Sequence, residues 1–495
     1  VSEDPHTSRS SGLRVIDGGD RRRTTPASPP PEAERRTDGS PPLGGPRVLQ
    51  PAGGPAPALP QPGRSWSDLE ADAWLAARDL IGWRFALDRI EHLLAELGAP
   101  HQAAPAIHIV GTNGKSSTTR MIAALLRAHG HHPGAFLSPH LAHLRERIEV
   151  DGQPISEDAH AQAVTAVARA AQRVDQPGDP VTQFEAHTAS AFVAMAAAGC
   201  DVFVVEAGLG GRLDATNVLG APVVALTSVD LEHTALLGST VEEITTEKVA
   251  VVTAGATLIL GPGLHEAATI VARDHAARVG AQVITARPEH TDRALGPSYQ
   301  QRNFATARAV VEAYLGATDP RAVREVAEHF AMPARFERIG DEPTTILDGA
   351  HNPAGARALA DALSEAGLRQ GGVAVMSVLA DKDAAGMATA LAEHCTRFVV
   401  CDCGSPRVMP PSELAARIAA AVPGVTTTVV DDPLTALATA RITAGPSGFV
   451  VICGTLALAQ AVRPQPTTPP PAPPATDPSV PTAPPTWPPP GSGAA

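Results

Sequence analysis

The chain has 495 residues, 43% of them hydrophobic, and a formal net charge of −13. That much apolar sequence suffices for two domains of roughly 150–250 residues each rather than one core, and the acidic balance excludes a nucleic-acid groove, which needs a basic surface to displace counterions. No run of about 20 apolar residues exists and no positively charged start leads into an apolar stretch, so neither a membrane span nor a secretory signal is expected and the cytoplasm is the default location.

Residues 1–63 are rich in Pro, Gly, Ser and Arg without apolar periodicity. Such a segment cannot offset its ordering entropy and reads as a disordered tail. Between it and a second Pro/Thr-rich tail, 464–495, short apolar runs alternate with alanine-rich helical patterns, the signature of an α/β protein with largely parallel sheets. AIHIVG (106–111) reads as a strand entering a glycine turn, and the next segment as a helix with Met121, Ile122, Leu125 and Leu126 on one side. DVFVVEAG (201–208) and APVVALTSVD (221–230) are further buried strands that deliver polar residues at their C-terminal ends, where open α/β sheets place ligands. TTILDGAH, GVAVMSVLADKD, RFVVCDCG, VTTTVVDD and GFVVICGT supply a second set of strands. The division is expected near 320, with a larger unit over 64–320 and a smaller doubly wound unit over 321–463. Five cysteines form no even framework and read as reduced thiols; Cys401 and Cys403 are spaced to share a metal but lack a neighbouring histidine or second cysteine pair.

The strongest local signal is Gly111, Thr112, Asn113, Gly114, Lys115 and Ser116 between a predicted strand and helix. Glycines let the backbone wrap a phosphate, amides at a helix start donate to its oxygens, and Lys115 adds a mobile charge. Only two residues separate the glycines, so a plain turn remains an alternative on spacing alone. Ser116 is placed to ligate Mg²⁺ or to donate to a phosphate. Glu206 follows the apolar VFVV, and a carboxylate at a strand end needs solvent, a cation or a metal. Asp230, Glu232 and His233 follow the next strand; hard oxygen ligands with one imidazole suit Mg²⁺ or Mn²⁺. Ser138 and His140 read equally well as turn residues. Asp348, before Gly349, fits a contact to ribose or to Mg²⁺-linked water, with helix capping as the alternative.

Taken together, IHIVGTNGKSST, SPHLAHLRERI, EAGLGGRLDATNVL, EHTALLGST, ILDGAHNPAG, SPRVMPPSELA and CGTLALA resemble the folylpolyglutamate synthase and dihydrofolate synthase family, within the wider Mur ligase-like ATP-dependent amide ligases. The resemblance runs from about residue 72 to 464. It implies a P-loop ATPase-like domain with a mostly parallel sheet plus a smaller Rossmann-like C-terminal domain, and a monomer acting on a small-molecule acid and an amino acid. By the same resemblance Lys115 binds the transferred phosphates, while Glu206 and His233 hold Mg²⁺ with help from Ser138. Lys248 in TEKVA matches a lysine that is typically carbamylated and could hold a second ion; without the resemblance it reads as a solvated helix lysine. Asn303 lies near the nucleotide, Arg335 reaches the phosphates, and Asp348 and His351 contact the nucleotide from the second domain.

The chain departs from the family pattern in several places. Ser116 replaces a common glycine, EKVAV replaces EKAG, MPAR replaces WPGR, and SYQQRN replaces HQxxN. The interval between Lys248 and Tyr299 is short. These changes concern positioning more than phosphate contact. The implied activity is ATP-dependent joining of a pterin or folate carboxylate to L-glutamate through an acyl phosphate. The alternatives are a paralogous carboxylate–amine ligase with a non-folate acceptor and a catalytically vestigial nucleotide-binding scaffold.

Overall fold

The structure, a computed structural model, describes residues 56–78 and 86–463. Two sheets organise these residues. The first contains β1 (Ala106–Val110), β2 (Pro133–Phe136), β3 (Ile148–Val150), β4 (Gln153–Pro154), β5 (Val202–Glu206), β6 (Val223–Leu226), β7 (Thr257–Leu260) and β8 (Gln282–Thr285), in the order β4-β3-β2-β5-β1-β6-β7-β8. Its strands are parallel from β2 to β8, and β3 and β4 continue the β2 edge antiparallel.

Strand β1 is central, and all five of its residues are buried, which accounts for its unbroken apolar run. Because side chains alternate across a strand, Val110 enters the core on one face with Phe203 and Val205, while Ile107 and Ile109 enter the opposite core with Val202 and Val204. His108, mid-strand and buried, is satisfied by Thr216 Oγ1 at 2.8 Å, and burial lowers its imidazole to about 4. The helix Lys115–Ala128 covers the second face with Met121, Ile122, Leu125 and Leu126, the residues its periodicity selects.

The smaller sheet contains β9 (Glu337–Asp341), β10 (Thr344–Leu347), β11 (Gly372–Met376), β12 (Cys395–Val400), β13 (Thr426–Val429) and β14 (Phe449–Cys453), in the order β13-β12-β11-β14-β10-β9. All pairs are parallel except β9 with β10. The α/β class and the two-sheet architecture therefore follow the sequence reading.

Details of the boundaries differ. Residues 56–63, assigned to the N-terminal tail on composition, lie against the first core: the Trp66 indole N–H donates to the Ala58 carbonyl at 3.0 Å, and Leu59 packs beside the buried cluster. One apolar anchor fixes a stretch whose average composition reads as unstructured. The helix Pro320–His329 places Val323 and Ala327 in the core that holds Ile107 and Leu125, so it packs with the first sheet. The expectations for 1–55 and for 464–495 lie outside the described residues. Among the described residues no helix is long and apolar enough to cross a membrane.

Candidate active site

The C-terminal ends of β1, β2, β5 and β6 converge. The loop after β1 turns at Gly111 (φ 154°) and Gly114 (φ 83°), and the helix starts at Lys115. Both glycines are required. A Cβ at Gly111 would meet Thr227 Oγ1 at 2.0 Å, and one at Gly114 would meet Asn303 Oδ1 at 2.5 Å. Asn303 thus packs against the phosphate loop, while its amide donates to Gln300 Oε1 at 3.2 Å.

The end of β6 fixes the loop. Thr112 N donates to the Ser228 carbonyl at 2.8 Å, Asn113 N to Ser228 Oγ at 2.8 Å, and the Thr227 and Ser228 hydroxyls to the Asn113 carbonyl at 2.7 and 3.0 Å. Asp230 N donates to Thr112 Oγ1 at 3.1 Å. Among the described residues, the hydrogen bond of Lys115 Nζ goes to the Thr112 carbonyl, at 3.3 Å. An ammonium resting on a main-chain carbonyl is available to an incoming anion.

Beneath the loop, Glu206 at the end of β5 is 1% exposed. Its carboxylate accepts from Ser116 Oγ at 3.1 Å and from Ser138 N at 3.2 Å, and Ser116 Oγ also lies 3.2 Å from the Ser138 carbonyl. Burial raises the Glu206 pKa, opposed by the Lys115 ammonium, these two hydrogen bonds and Arg335. Ser116, Ser138 and Glu206, drawn from three chain segments, are therefore brought together.

Lys248 is 4% exposed, and its Nζ donates to the Gly111 carbonyl at 3.0 Å. Burial, reinforced by Lys115, lowers its ammonium to about 7, which excludes the solvated-lysine alternative. Gly211 of the GLGG segment packs on this helix, where a Cβ would meet the Lys248 carbonyl at 2.6 Å. The extra bulk of EKVAV is absorbed by the first core, which buries Val249 and Val251. In the same motif Asp214 is a buried fastening: it accepts from Leu209 N at 2.7 Å and from Thr216 N at 3.0 Å.

His233 adopts a left-handed conformation (φ 52°, ψ 38°) at the start of a short helix. Desolvation, with the Lys382 ammonium, lowers its imidazole to about 4, so the ring is neutral at physiological pH and can act as a ligand. It is not hydrogen-bonded to Glu206. Its neighbour Glu232 pairs with Lys382 Nζ at 2.9 Å and with His351 Nε2 at 3.5 Å. Burial alone would raise the Glu232 carboxyl, but these two partners hold it well below the usual carboxylate range.

The second sheet supplies the opposing wall. Asp348, after β10, accepts from the Tyr299 hydroxyl at 2.9 Å, Phe336 N at 2.8 Å and Ala350 N at 2.8 Å. Most of its hydrogen-bonding capacity is spent on the protein, and it does not cap the next helix; Asn352 does, accepting from Gly355 N at 2.8 Å. The tyrosine of SYQQRN thus has a defined role in holding Asp348. Arg335 lies between two left-handed residues, Ala334 and Phe336 (both φ 52°), and over Gly349, where a Cβ would fall 2.1 Å from Nη1. Non-glycine residues in this region store strain, and here the hydrogen bond from Phe336 N to Asp348 holds it.

Sequence reasoning passed over Asn352, Lys382, Tyr299, Thr227 and Ser228. Asn352 Nδ2 donates to Asn113 Oδ1 at 3.0 Å and Asn113 Nδ2 to Asn352 Oδ1 at 3.3 Å, an amide pair that ties the phosphate loop to the second sheet. Cys401 is a buried free thiol, and neither it nor Cys403 belongs to a group of three metal-ligating side chains among the described residues.

Comparison with known proteins agrees with this arrangement. Residues 334–456 match the family described as Mur ligase, glutamate ligase domain. The chain is 35% identical over 379 residues to the dihydrofolate synthase/folylpolyglutamate synthase of Mycobacterium tuberculosis, covering 67% of this chain and 77% of that protein. It is similar to the solved M. tuberculosis folylpolyglutamate synthase complexed with ADP (TM-score 0.73, 32% identity, 80% of this chain and 97% of that one). It is also similar to the Yersinia pestis bifunctional enzyme complexed with AMPPNP and Mn ion (TM-score 0.71, 28% identity, 81% and 98%). The chain belongs to the folylpolyglutamate synthase/dihydrofolate synthase family of ATP-dependent, amide-forming ligases.

Proposed function

We propose that this ligase activates the carboxylate of a pterin acid or folate with ATP and joins it to the amine of L-glutamate, combining dihydrofolate synthase and folylpolyglutamate synthase activities, as a cytoplasmic monomer. The observation that carries this reading is the hydrogen-bonded set Ser116, Ser138 and Glu206 directly beneath the glycine loop that bears Lys115. Among the described residues this buried carboxylate is hydrogen-bonded to a hydroxyl and an amide and forms no ion pair, with Lys115 and Arg335 acting on it only from a distance, and its oxygen-rich surroundings fit Mg²⁺ or Mn²⁺. Ser116, Ser138, Glu206 and His233 are the residues that would hold it. Bound there, the ion would neutralise charge on the phosphate oxygens.

The β- and γ-phosphates would lie at the helix start, against the amides of Gly114–Ser116, because those of Thr112 and Asn113 are taken by Ser228, with Lys115 and Arg335 balancing charge on the γ-phosphoryl oxygens. A carboxylate oxygen of the acid attacks the γ-phosphorus and ADP leaves; the amine of glutamate then attacks the acyl carbon and phosphate leaves. Asn303, Asp348 and His351 border the nucleotide, Asp348 chiefly by fixing the Arg335 loop. The buried Lys248, its ammonium lowered to about 7, would supply a neutral amine that adds CO₂ with release of a proton to solvent, and the carbamate so formed would supply an anion for a second ion.

Phosphate release by the purified protein should require an acid and an amine together, and Lys115→Ala should lower it by about 10²-fold or more at saturating ATP with unchanged circular dichroism. Near-parental release by that variant would remove Lys115 from the chemistry, and release without an acid would remove the acyl phosphate.

A further inference from the structure

Away from the phosphate site, the helix Asp68–Ala76 presents Asp68 and Asp72 four residues apart, hence on one face. Both meet His160 of the helix Glu157–Val174. His160 Nδ1 lies 2.7 Å from Asp68 Oδ1 and 3.8 Å from Asp72 Oδ1. One ligand atom from each residue lies within 4.8 Å of the other two, and no other group of three such side chains occurs among the described residues.

The protein alone does not satisfy this cluster. His160 is completely buried, and its Nδ1 proton can serve only one carboxylate, which is that of Asp68. Asp72 Oδ1 is shielded from solvent without a hydrogen-bond partner. Burial raises the Asp72 pKa, opposed by His160, reinforced by Asp68 and opposed further by His143 and Arg145. Arg145, however, directs its guanidinium to the Ile155 carbonyl and to Glu157 at 3.7 Å. The far side of His160 packs edge-on against His187, a buried ring whose two nitrogens also lack partners and whose pKa burial lowers far below the usual range. A divalent cation with two carboxylates and a neutral imidazole makes the cluster neutral overall.

We propose that Asp68, Asp72 and His160 form a second divalent-cation site, independent of the phosphate loop, that fastens the N-terminal helix to the helix Glu157–Val174. One imidazole with two carboxylates suits Zn²⁺, Co²⁺ or Mn²⁺. The Asp72 side chain retains 31% exposure, a route of entry and a place for completing water ligands. The ion would act on stability, joining the contacts that Trp66, Trp74 and Leu75 already make in the first core.

Co²⁺ titration of chelator-stripped, full-length protein without nucleotide tests this, read by calorimetry, visible absorption and thermal unfolding. Parent and Glu206→Gln proteins should both bind one equivalent with a ligand-field band from mixed nitrogen and oxygen ligation. Asp72→Asn should bind at least about tenfold more weakly, and Co²⁺ should raise the unfolding midpoint by about 2 °C or more in the parent but not in that variant. In chelator, Asp72→Asn should unfold at or above the parental midpoint, which shows that it folds. Equal binding by Asp72→Asn, binding lost only in Glu206→Gln, or no binding at millimolar Co²⁺ would each overturn the assignment.

Discussion

Asn113 in the phosphate loop and Asn352 at the start of a second-sheet helix exchange amide hydrogen bonds at 3.3 and 3.0 Å. Asn352 Oδ1 also caps its own helix by accepting from Gly355 N. One residue therefore sets both the helix start and the position of the loop. Asn352→Asp keeps the capping oxygen but loses the donor to Asn113 and adds a negative charge facing the phosphates. It should lower kcat/KM for ATP by about tenfold or more while changing stability by less than about 1 kcal/mol. Parallel losses in unfolding midpoint and activity would show instead that Asn352 acts only on the fold.

Lys248 links function to pH and CO₂. Its folded pKa, about 7, lies below the ordinary lysine value, so between about 7 and that value the unfolded chain binds more protons and this group favours folding increasingly as pH rises. The neutral amine required for carbamylation grows over the lower part of that window. Activation of CO₂-depleted protein by bicarbonate should therefore increase through about pH 7, and Lys248→Ala should lose bicarbonate activation and recover part of its activity in short-chain carboxylates. Bicarbonate-independent activity with an unmodified Lys248 by mass spectrometry would take carbamylation out of the mechanism.

Glu206 carries the opposite sign. Burial raises its carboxyl, so without a cation its ionised form opposes folding increasingly as pH rises through the interval between the unfolded and folded values. Mg²⁺ with an ATP analogue should stabilise the protein more at about pH 8 than at about pH 5, where protonation of Glu206 competes. Glu206→Gln should abolish the Mg²⁺-dependent part of the midpoint shift. An unchanged increment in that variant would move the ion elsewhere.

The Glu232–Lys382 pair joins the β6 loop to the second sheet, with both side chains about nine-tenths buried (10% and 11% exposed). Lys382→Met leaves Glu232 with only His351 at 3.5 Å. Breaking such a pair costs about 3–5 kcal/mol, and turnover should fall with it, because the loop that carries His233 loses its anchor. A double substitution, Glu232→Gln with Lys382→Met, should recover a large part of the stability but not the activity. Full recovery of both would reduce the pair to a structural contact.

Much of this site is legible from local sequence. Gly111 to Ser116 and Glu206 are recognisable because a strand end followed by a glycine turn, or a carboxylate after an apolar run, is itself the physical signal. Asn352, Lys382 and Tyr299 carry no such signal, since their partners lie 239, 150 and 49 residues away. Each reads as an ordinary cap, surface lysine or buried aromatic until the two sheets are placed together. Asp348 shows the converse: its strand-end position suggested a ligand contact, but three donors from the protein take up most of its carboxylate. The anchoring of Leu59 and the packing of the helix Pro320–His329 were hidden for a related reason, because composition averages over a segment while burial is decided by single apolar residues.

The carboxylate that this site activates is that of a pterin acid, and the amine is that of L-glutamate. Purified protein supplied with dihydropteroate, L-glutamate, ATP and Mg²⁺ should yield dihydrofolate, detected by mass spectrometry as the new amide, with one ADP formed per amide and none without dihydropteroate; a reduced folate in its place should gain glutamate. Absence of both products, with another acid and amine giving ADP and an amide, would contradict the assignment and leave the ligase chemistry without its folate substrate.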